Sequence, residues 1–300
     1  MRPGEGDEMP VEATYLGRLA ARTARVGTVL CVGIDPDPRA LPAGFTPDLA
    51  GVEAFVRLLL EAAVPHAAAV KPNLAFFEAF GGEGMAALER LRALVPPDVP
   101  VLADAKRGDI GSTAARQAVA LFDRLGADAV TVSPYLGREA IAPLLERADR
   151  FAYVLCRTSN PGAGELQDLQ VGPDFGEGWP AEPLHVRVAR RATLWNEQHG
   201  TVGLVVGATA PRELETLRAV APGLAFLVPG IGAQGGDVDA ALAHGPATGG
   251  AAAGRAGGGL LVNVSRGIAG AANGAPDPGA ALDAAATAWA GRLPVLQSLP

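Results

Sequence analysis

The chain has 300 residues, of which 49% are hydrophobic and 19% charged, and it carries a formal net charge of −7. That is enough apolar material for a large core, so a disordered chain is excluded. The acidic balance argues against a general nucleic-acid or anionic-membrane surface, although a local basic cluster can still face a phosphorylated ligand.

The first ten residues, Met1–Pro10, read as a flexible tail with no apolar h-region, so a secretory signal is not expected. A helix over about Val11–Arg25 follows. Then short apolar runs alternate with amphipathic segments. The runs are Thr28–Ile34, Ala67–Val70, Val99–Ala103, Ala127–Val132, Phe151–Cys156, Val202–Val206, Leu224–Val228 and Gly259–Val262. Between them the spacing predicts helices over Val52–Ala63, Met85–Leu94, Thr113–Leu125, Arg138–Arg147, Leu184–His199 and Pro211–Val220. Alternating β and α segments call for a parallel sheet. Eight repeats favour its closure into an α/β (β/α)₈ (TIM) barrel, with an open doubly wound sheet as the alternative. Residues 11–300 are expected to form one such barrel domain. Thr158–Pro183, rich in Gly and Pro, is expected as a loop or lid at the barrel mouth. The Gly/Ala-rich stretch 245–259 reads as a flexible insertion on the opposite side.

No apolar stretch is long enough to span a membrane. Cys31 and Cys156 fall inside predicted strands and read as small apolar core residues, which fits a reducing, cytoplasmic compartment. His66, His185, His199 and His244 read as structural or solvated, and no cluster has metal-ligand spacing.

Polar residues gather where the strands finish: Asp35, Lys71-Pro-Asn73, Asp104 and Lys106, Ser133, Arg157-Thr-Ser159, Pro229 to Asp237, and Asn263-Val-Ser-Arg266. Barrel active sites lie at the carboxyl ends of the strands. The stretch Asp104-Ala-Lys-Arg-Gly-Asp-Ile-Gly111 carries the most information. Strand periodicity sets Asp104 and Lys106 on the same side. Opposite charges about 4 Å apart attract by roughly 4 kcal/mol at an effective dielectric near 20, whereas desolvation costs several kcal/mol per ion. Such a pair makes a poor stability device and a good preorganised charge array. Glycines 230, 232, 235 and 236 let backbone N–H groups approach a ligand. Arg266 can fork two donors onto a phosphate, which suits the loops after strands seven and eight.

Asp-x-Lys-x-x-Asp followed by Ile, with Lys71-Pro-Asn73 and Thr158-Ser-Asn-Pro-Gly162, resembles the orotidine 5′-phosphate decarboxylase family, in its longer bacterial (type 2) branch. The resemblance runs in order from Asp35 to Ile268. It implies conversion of orotidine 5′-phosphate to UMP and CO₂ in pyrimidine biosynthesis, without metal or cofactor. Lys106, Asp104, Lys71 and Asp109 would be catalytic, with Lys106 stabilising a C6 carbanion and protonating it. Asp35 and Lys71 would meet the ribose hydroxyls, Ser159 the pyrimidine, and Gln234 and Arg266 the phosphate. Asp109, Ile110 and Thr113 would reach into the partner's site of a homodimer. Two alternatives stay open. One is a Mg²⁺-dependent sugar-phosphate decarboxylase or synthase of the same barrel superfamily; the other is a non-catalytic nucleotide-binding barrel.

Overall fold

The computed structural model describes residues 10–232 and 235–296. Eight parallel strands carry the architecture: β1 (Leu30–Ile34), β2 (Ala69–Pro72), β3 (Leu102–Arg107), β4 (Ala129–Val132), β5 (Phe151–Arg157), β6 (Val202–Val206), β7 (Ala225–Val228) and β8 (Leu261–Val264). Their order is β2-β1-β8-β7-β6-β5-β4-β3. Parallel bridges Val70–Val101 and Asn73–Asp104 join the two ends. Leu74 N–H also donates to the Asp104 carbonyl at 3.2 Å. The sheet is therefore a barrel rather than an open doubly wound sheet.

Alternation along each strand builds two cores. Outward residues such as Leu30, Val32, Val130, Val132, Phe226 and Val262 pack under the helices. Inward residues Cys31, Ala69, Leu102, Ala129, Phe151, Tyr153, Val205, Leu227 and Leu261 fill the lumen. The helix Tyr15–Val26 supplies Tyr15, Leu16 and Leu19 to this inner core. Thr14 caps its start by accepting from Gly17 N–H at 3.1 Å, and Gly27 ends it at φ 70°. Tyr15 stacks on Phe151 at 4.8 Å and its hydroxyl lies 3.2 Å from that of Tyr153. One end of the barrel is thus plugged, leaving the other for a site.

Several element boundaries differ from expectation. β2, β3, β5 and β8 run past the apolar runs into charged or polar residues, because the backbone ladder continues where side-chain apolarity stops. The expected helix Arg138–Arg147 contracts to Ala142–Leu145, after Gly137 at φ 89° and with Pro143 in its first turn. The helix expected from Thr113 starts at Gly111 and widens to a π turn over Val119–Arg124. An additional helix, Pro278–Arg292, packs on Leu49–Ala63; its Ala-rich sequence has little periodic contrast to announce it.

The stretch after β5 has secondary structure of its own. It forms a short helix, Gly164–Gln167, and a two-stranded ribbon pairing Gln170–Val171 with Glu182–Pro183. Buried Glu182 accepts from Arg187 and Arg190, each at 2.8 Å. Trp179 faces the guanidinium groups of Arg187 and Arg191 at 5.4 and 4.6 Å. The Gly/Ala-rich stretch also packs closely. Gly257, at φ 72°, sits where a Cβ would come within 2.9 Å of Thr23 and Val29. Buried Arg218 ties this region together, donating to the carbonyls of Ala221, Leu224, His244 and Gly245. Among the described residues, no helix is long and apolar enough to cross a membrane.

Candidate active site

The inward positions turn polar at the carboxyl ends of the strands. Lys71 continues the Ala69 parity, Asp104 that of Leu102, Thr131 that of Ala129 and Asn263 that of Leu261. They line one cavity of about 290 Å³ with Asp35, Asn73, Lys106, Thr158, Ser159, Gly230, Ser265 and Arg266. Its apolar wall is Leu155, Val205, Leu227 and Ile231.

Asp104 is the hub. Lys71 Nζ donates to its Oδ2 at 2.7 Å, and Lys106 Nζ donates to its Oδ1 at 2.6 Å. Thr131 Oγ1 donates to the same Oδ1 at 2.9 Å. Burial acts to raise the Asp104 pKa, but the Lys71 and Lys106 charges outweigh it and hold the carboxyl well below its ordinary value. Burial likewise opposes the Lys71 ammonium, yet Asp104 and then Asp35 raise its pKa. Nearby burial pushes the Cys31 thiol up to about 12, so it is a neutral packing group.

Asp104 and Lys106 do meet, but not as neighbours on a regular strand face. Ala103 and Arg107 of β3 pair with Val130 and Val132 of β4, so three residues bulge out against the single residue Thr131. Within the bulge Lys106 has φ 50°, the sole positive value at a non-glycine among the described residues. Its backbone N–H and that of Ala105 both donate to Thr131 Oγ1 at 3.0 Å. Thr131 thus completes the polar bonding of the bulge and leaves Lys106 half-exposed over the cavity.

The remaining expected residues separate into groups. Asp35 lines the cavity and its Oδ1 has no hydrogen-bond partner. Ser159 and exposed Arg266 also line it. Arg266 borders an adjoining space of about 570 Å³ with Asp35, Asn73 and Phe76. Gly230 and Gly232 take φ 97° and 82°, conformations that favour glycine. Gln234 lies outside the described residues. Asp109 and Thr113 do not line the cavity. Asp109 caps its own loop, accepting from Ile110 N–H at 2.7 Å, and Thr113 borders a separate space with Arg116 and Gln117. Among the described residues, no three His, Cys, Asp or Glu side chains gather as a metal site.

The family model for orotidine 5′-phosphate decarboxylase / HUMPS matches residues 28–283. The chain belongs to this family. It is 47% identical over 255 residues to the orotidine 5′-phosphate decarboxylase of Thermomicrobium roseum, covering 85% of this chain and 86% of that one. The solved OMP decarboxylase of Leishmania donovani superposes with a TM-score of 0.74 at 42% identity, covering 90% of this chain and 95% of that chain. UMP synthase from the same organism gives 0.77 at 43% identity, covering 93% of this chain; the present chain spans only 55% of that longer protein.

One cavity residue of this family member, Thr131, escaped the motif reading. It interrupts an apolar strand at inward parity, and that interruption is the signal that could have found it; Asn263 stands among the polar residues read at the end of its strand, but with no role given to it. Asn263 is 8% exposed and its Oδ1 has no partner. It fills the space over Gly33, where a Cβ would lie 3.0 Å from that oxygen.

Proposed function

We propose that the protein decarboxylates orotidine 5′-phosphate to UMP and CO₂, a step of pyrimidine biosynthesis. The observation that carries this reading is the Lys71–Asp104–Lys106 array at the mouth of a family barrel, with one carboxylate bonded to two ammonium groups at 2.7 and 2.6 Å. The C6–carboxylate bond breaks, the electron pair remains on C6, and the Lys106 ammonium stabilises it. Lys106 then transfers a proton to C6 and is reprotonated from solvent. Asp104 orients both ammonium groups and keeps them charged. Lys71 and Asp35 take the ribose hydroxyls, using the open Asp35 oxygen. Ser159 meets the pyrimidine. Arg266 forks onto the phosphate, with Gln234 completing that grip; phosphate binding supplies energy remote from the reacting carbon.

We place the protein in the cytoplasm as a homodimer, a reading supported by its two buried free thiols and by the outward course of Asp109 to Thr113. Ile110, 62% exposed between them, is apolar surface that a second copy would cover. The test is loss of orotidylate absorbance in EDTA with no added metal. Wild type should turn over, and folded Lys106→Ala should lose several orders of magnitude in kcat. No turnover by wild type, or near-normal kcat in Lys106→Ala, would overturn the reading. Orotidylate turnover that EDTA abolishes would overturn the metal-free mechanism.

A further inference from the structure

The segment Thr158–Asn160 leaves the end of β5 without a ladder partner of its own, yet it carries Ser159 into the cavity. A serine hydroxyl on an irregular backbone can read a base only if that backbone is fixed. We infer that Gln167, which does not line the cavity, is a positioning residue that fixes Ser159 for recognition of the pyrimidine. The inference rests on the decarboxylase reading, in which Ser159 meets the base.

Both ends of the Gln167 amide are engaged on Thr158, and its Oε1 also accepts from Arg157 at 3.5 Å. Its Oε1 accepts from Thr158 N–H at 2.8 Å, and its Nε2 donates to Thr158 Oγ1 at 2.8 Å. Thr158 Oγ1 in turn donates to Asn160 Oδ1 at 2.6 Å. The two neighbours of Ser159 are therefore tied to one amide. On its other side Ser159 lies against Gly207, where a Cβ would come within 2.9 Å of both Ser159 Cβ and N. Gly207 N–H donates to the Arg157 carbonyl at 2.7 Å, holding the two strand ends in contact. Ser159 is thus held between a glycine wall and an amide clamp.

The clamp is itself anchored. Buried His185 places Nδ1 2.8 Å from the Gln167 carbonyl. That oxygen can only accept, so the proton sits on Nδ1. Arg157 donates to the Thr158 carbonyl at 3.2 Å and pairs with Asp168 at 3.2 Å. This chain of contacts links the short helix Gly164–Gln167 to the start of the helix Leu184–His199. Placement errors near 1 Å can cost about a hundredfold in rate, so a clamp on the base-reading residue has a measurable role.

The experiment compares wild type, Gln167→Met, Gln167→Glu, Ser159→Ala and the Gln167→Met/Ser159→Ala double variant, each verified as folded by its urea midpoint. Inhibition constants are measured for UMP, which carries the base, and for ribose 5-phosphate, which lacks it. Gln167→Met keeps the side-chain length and loses all three hydrogen bonds of the amide. It should weaken UMP by about tenfold and leave ribose 5-phosphate within about twofold. Gln167→Glu keeps the acceptor for Thr158 N–H and should recover part of the loss. Because Gln167 acts through Ser159, the double variant should bind UMP no worse than Ser159→Ala alone. Equal weakening of both ligands, no weakening of either, or multiplied losses in the double variant would overturn the clamp. If Ser159→Ala weakens UMP while Gln167→Met does not, the clamp alone fails. If Ser159→Ala has no effect on UMP, the reading of Ser159 fails and the clamp falls with it.

Discussion

Thr131→Val replaces one β-branched side chain by another of nearly equal volume and removes a single oxygen. That oxygen makes three hydrogen bonds: it accepts from Ala105 and Lys106 N–H at 3.0 Å each and donates to Asp104 Oδ1 at 2.9 Å. Each buried N–H left without a partner costs about 1–3 kcal/mol, and a hydrogen bond to a charged group contributes about 1.5–3 kcal/mol. Asp104 keeps both ammonium partners and the bulge can relax, so the lower part of these ranges applies. The expected loss is about 3 kcal/mol of folding stability. Freed of its tether, Lys106 can leave the φ 50° conformation that aims it over the cavity. A placement cost of about 1.4–3 kcal/mol would lower kcat roughly 10–150-fold. Urea unfolding gives the first quantity and orotidylate turnover the second. Thr131→Ser, which restores the oxygen, should recover most of both. A Thr131→Val protein with wild-type midpoint and wild-type kcat would refute the claim that this hydroxyl builds the bulge.

The pH dependence of stability should report the same cluster. The Asp104 carboxyl is depressed below its ordinary 3.8, so its contribution is fully present above that value and is lost as pH falls through the folded one. Urea midpoints between about pH 2 and 6 should therefore fall less steeply on the acid side in Asp104→Asn than in wild type; equal slopes would contradict the shift. Mixing inactive Asp109→Ala with inactive Lys106→Ala subunits should restore activity to about a quarter of wild-type sites, because random exchange gives about half mixed dimers with one intact site each. Demonstrated exchange without recovered activity would mean that Asp109 acts within its own chain.

The barrel was legible because each apolar run marks one strand and the helical periods between them are strong. Its closure was less so: the bridge Val70–Val101 joins two apolar runs, but the bridge Asn73–Asp104 lies beyond their ends, where composition says loop. The charged residues that line the cavity, Asp35, Lys71, Asp104, Lys106 and Arg266, were legible from their positions after the strands, whereas Asp109, read with them, does not line it. The β3 bulge was not. A period of two already brings Asp104 and Lys106 to one side, so the sequence offers no reason to expect an irregular backbone. Only the hydroxyl of Thr131, 25 residues away in the chain from Lys106, completes the bonding of the bulge. Gln167 escaped for a similar reason: in sequence it is one polar residue in a Gly- and Pro-rich stretch, and its meaning depends on the fold bringing it back to Thr158.

The net charge of −7 and the anionic ligand are reconciled at the cavity itself. The charged side chains lining it are Lys71, Lys106 and Arg266 against Asp35 and Asp104, three positive and two negative, a local balance of +1. The two lysines are not equivalent within that balance. Lys71 is 5% exposed and fixed by Asp104, whereas Lys106 is 51% exposed. A pair built for stability would gain nothing from burying one ammonium and exposing the other, since burial costs several kcal/mol per ion. The proposed proton transfer would use this asymmetry: one cation to hold the shared carboxylate in place and a second, reachable one to give its proton to the substrate and regain it from solvent.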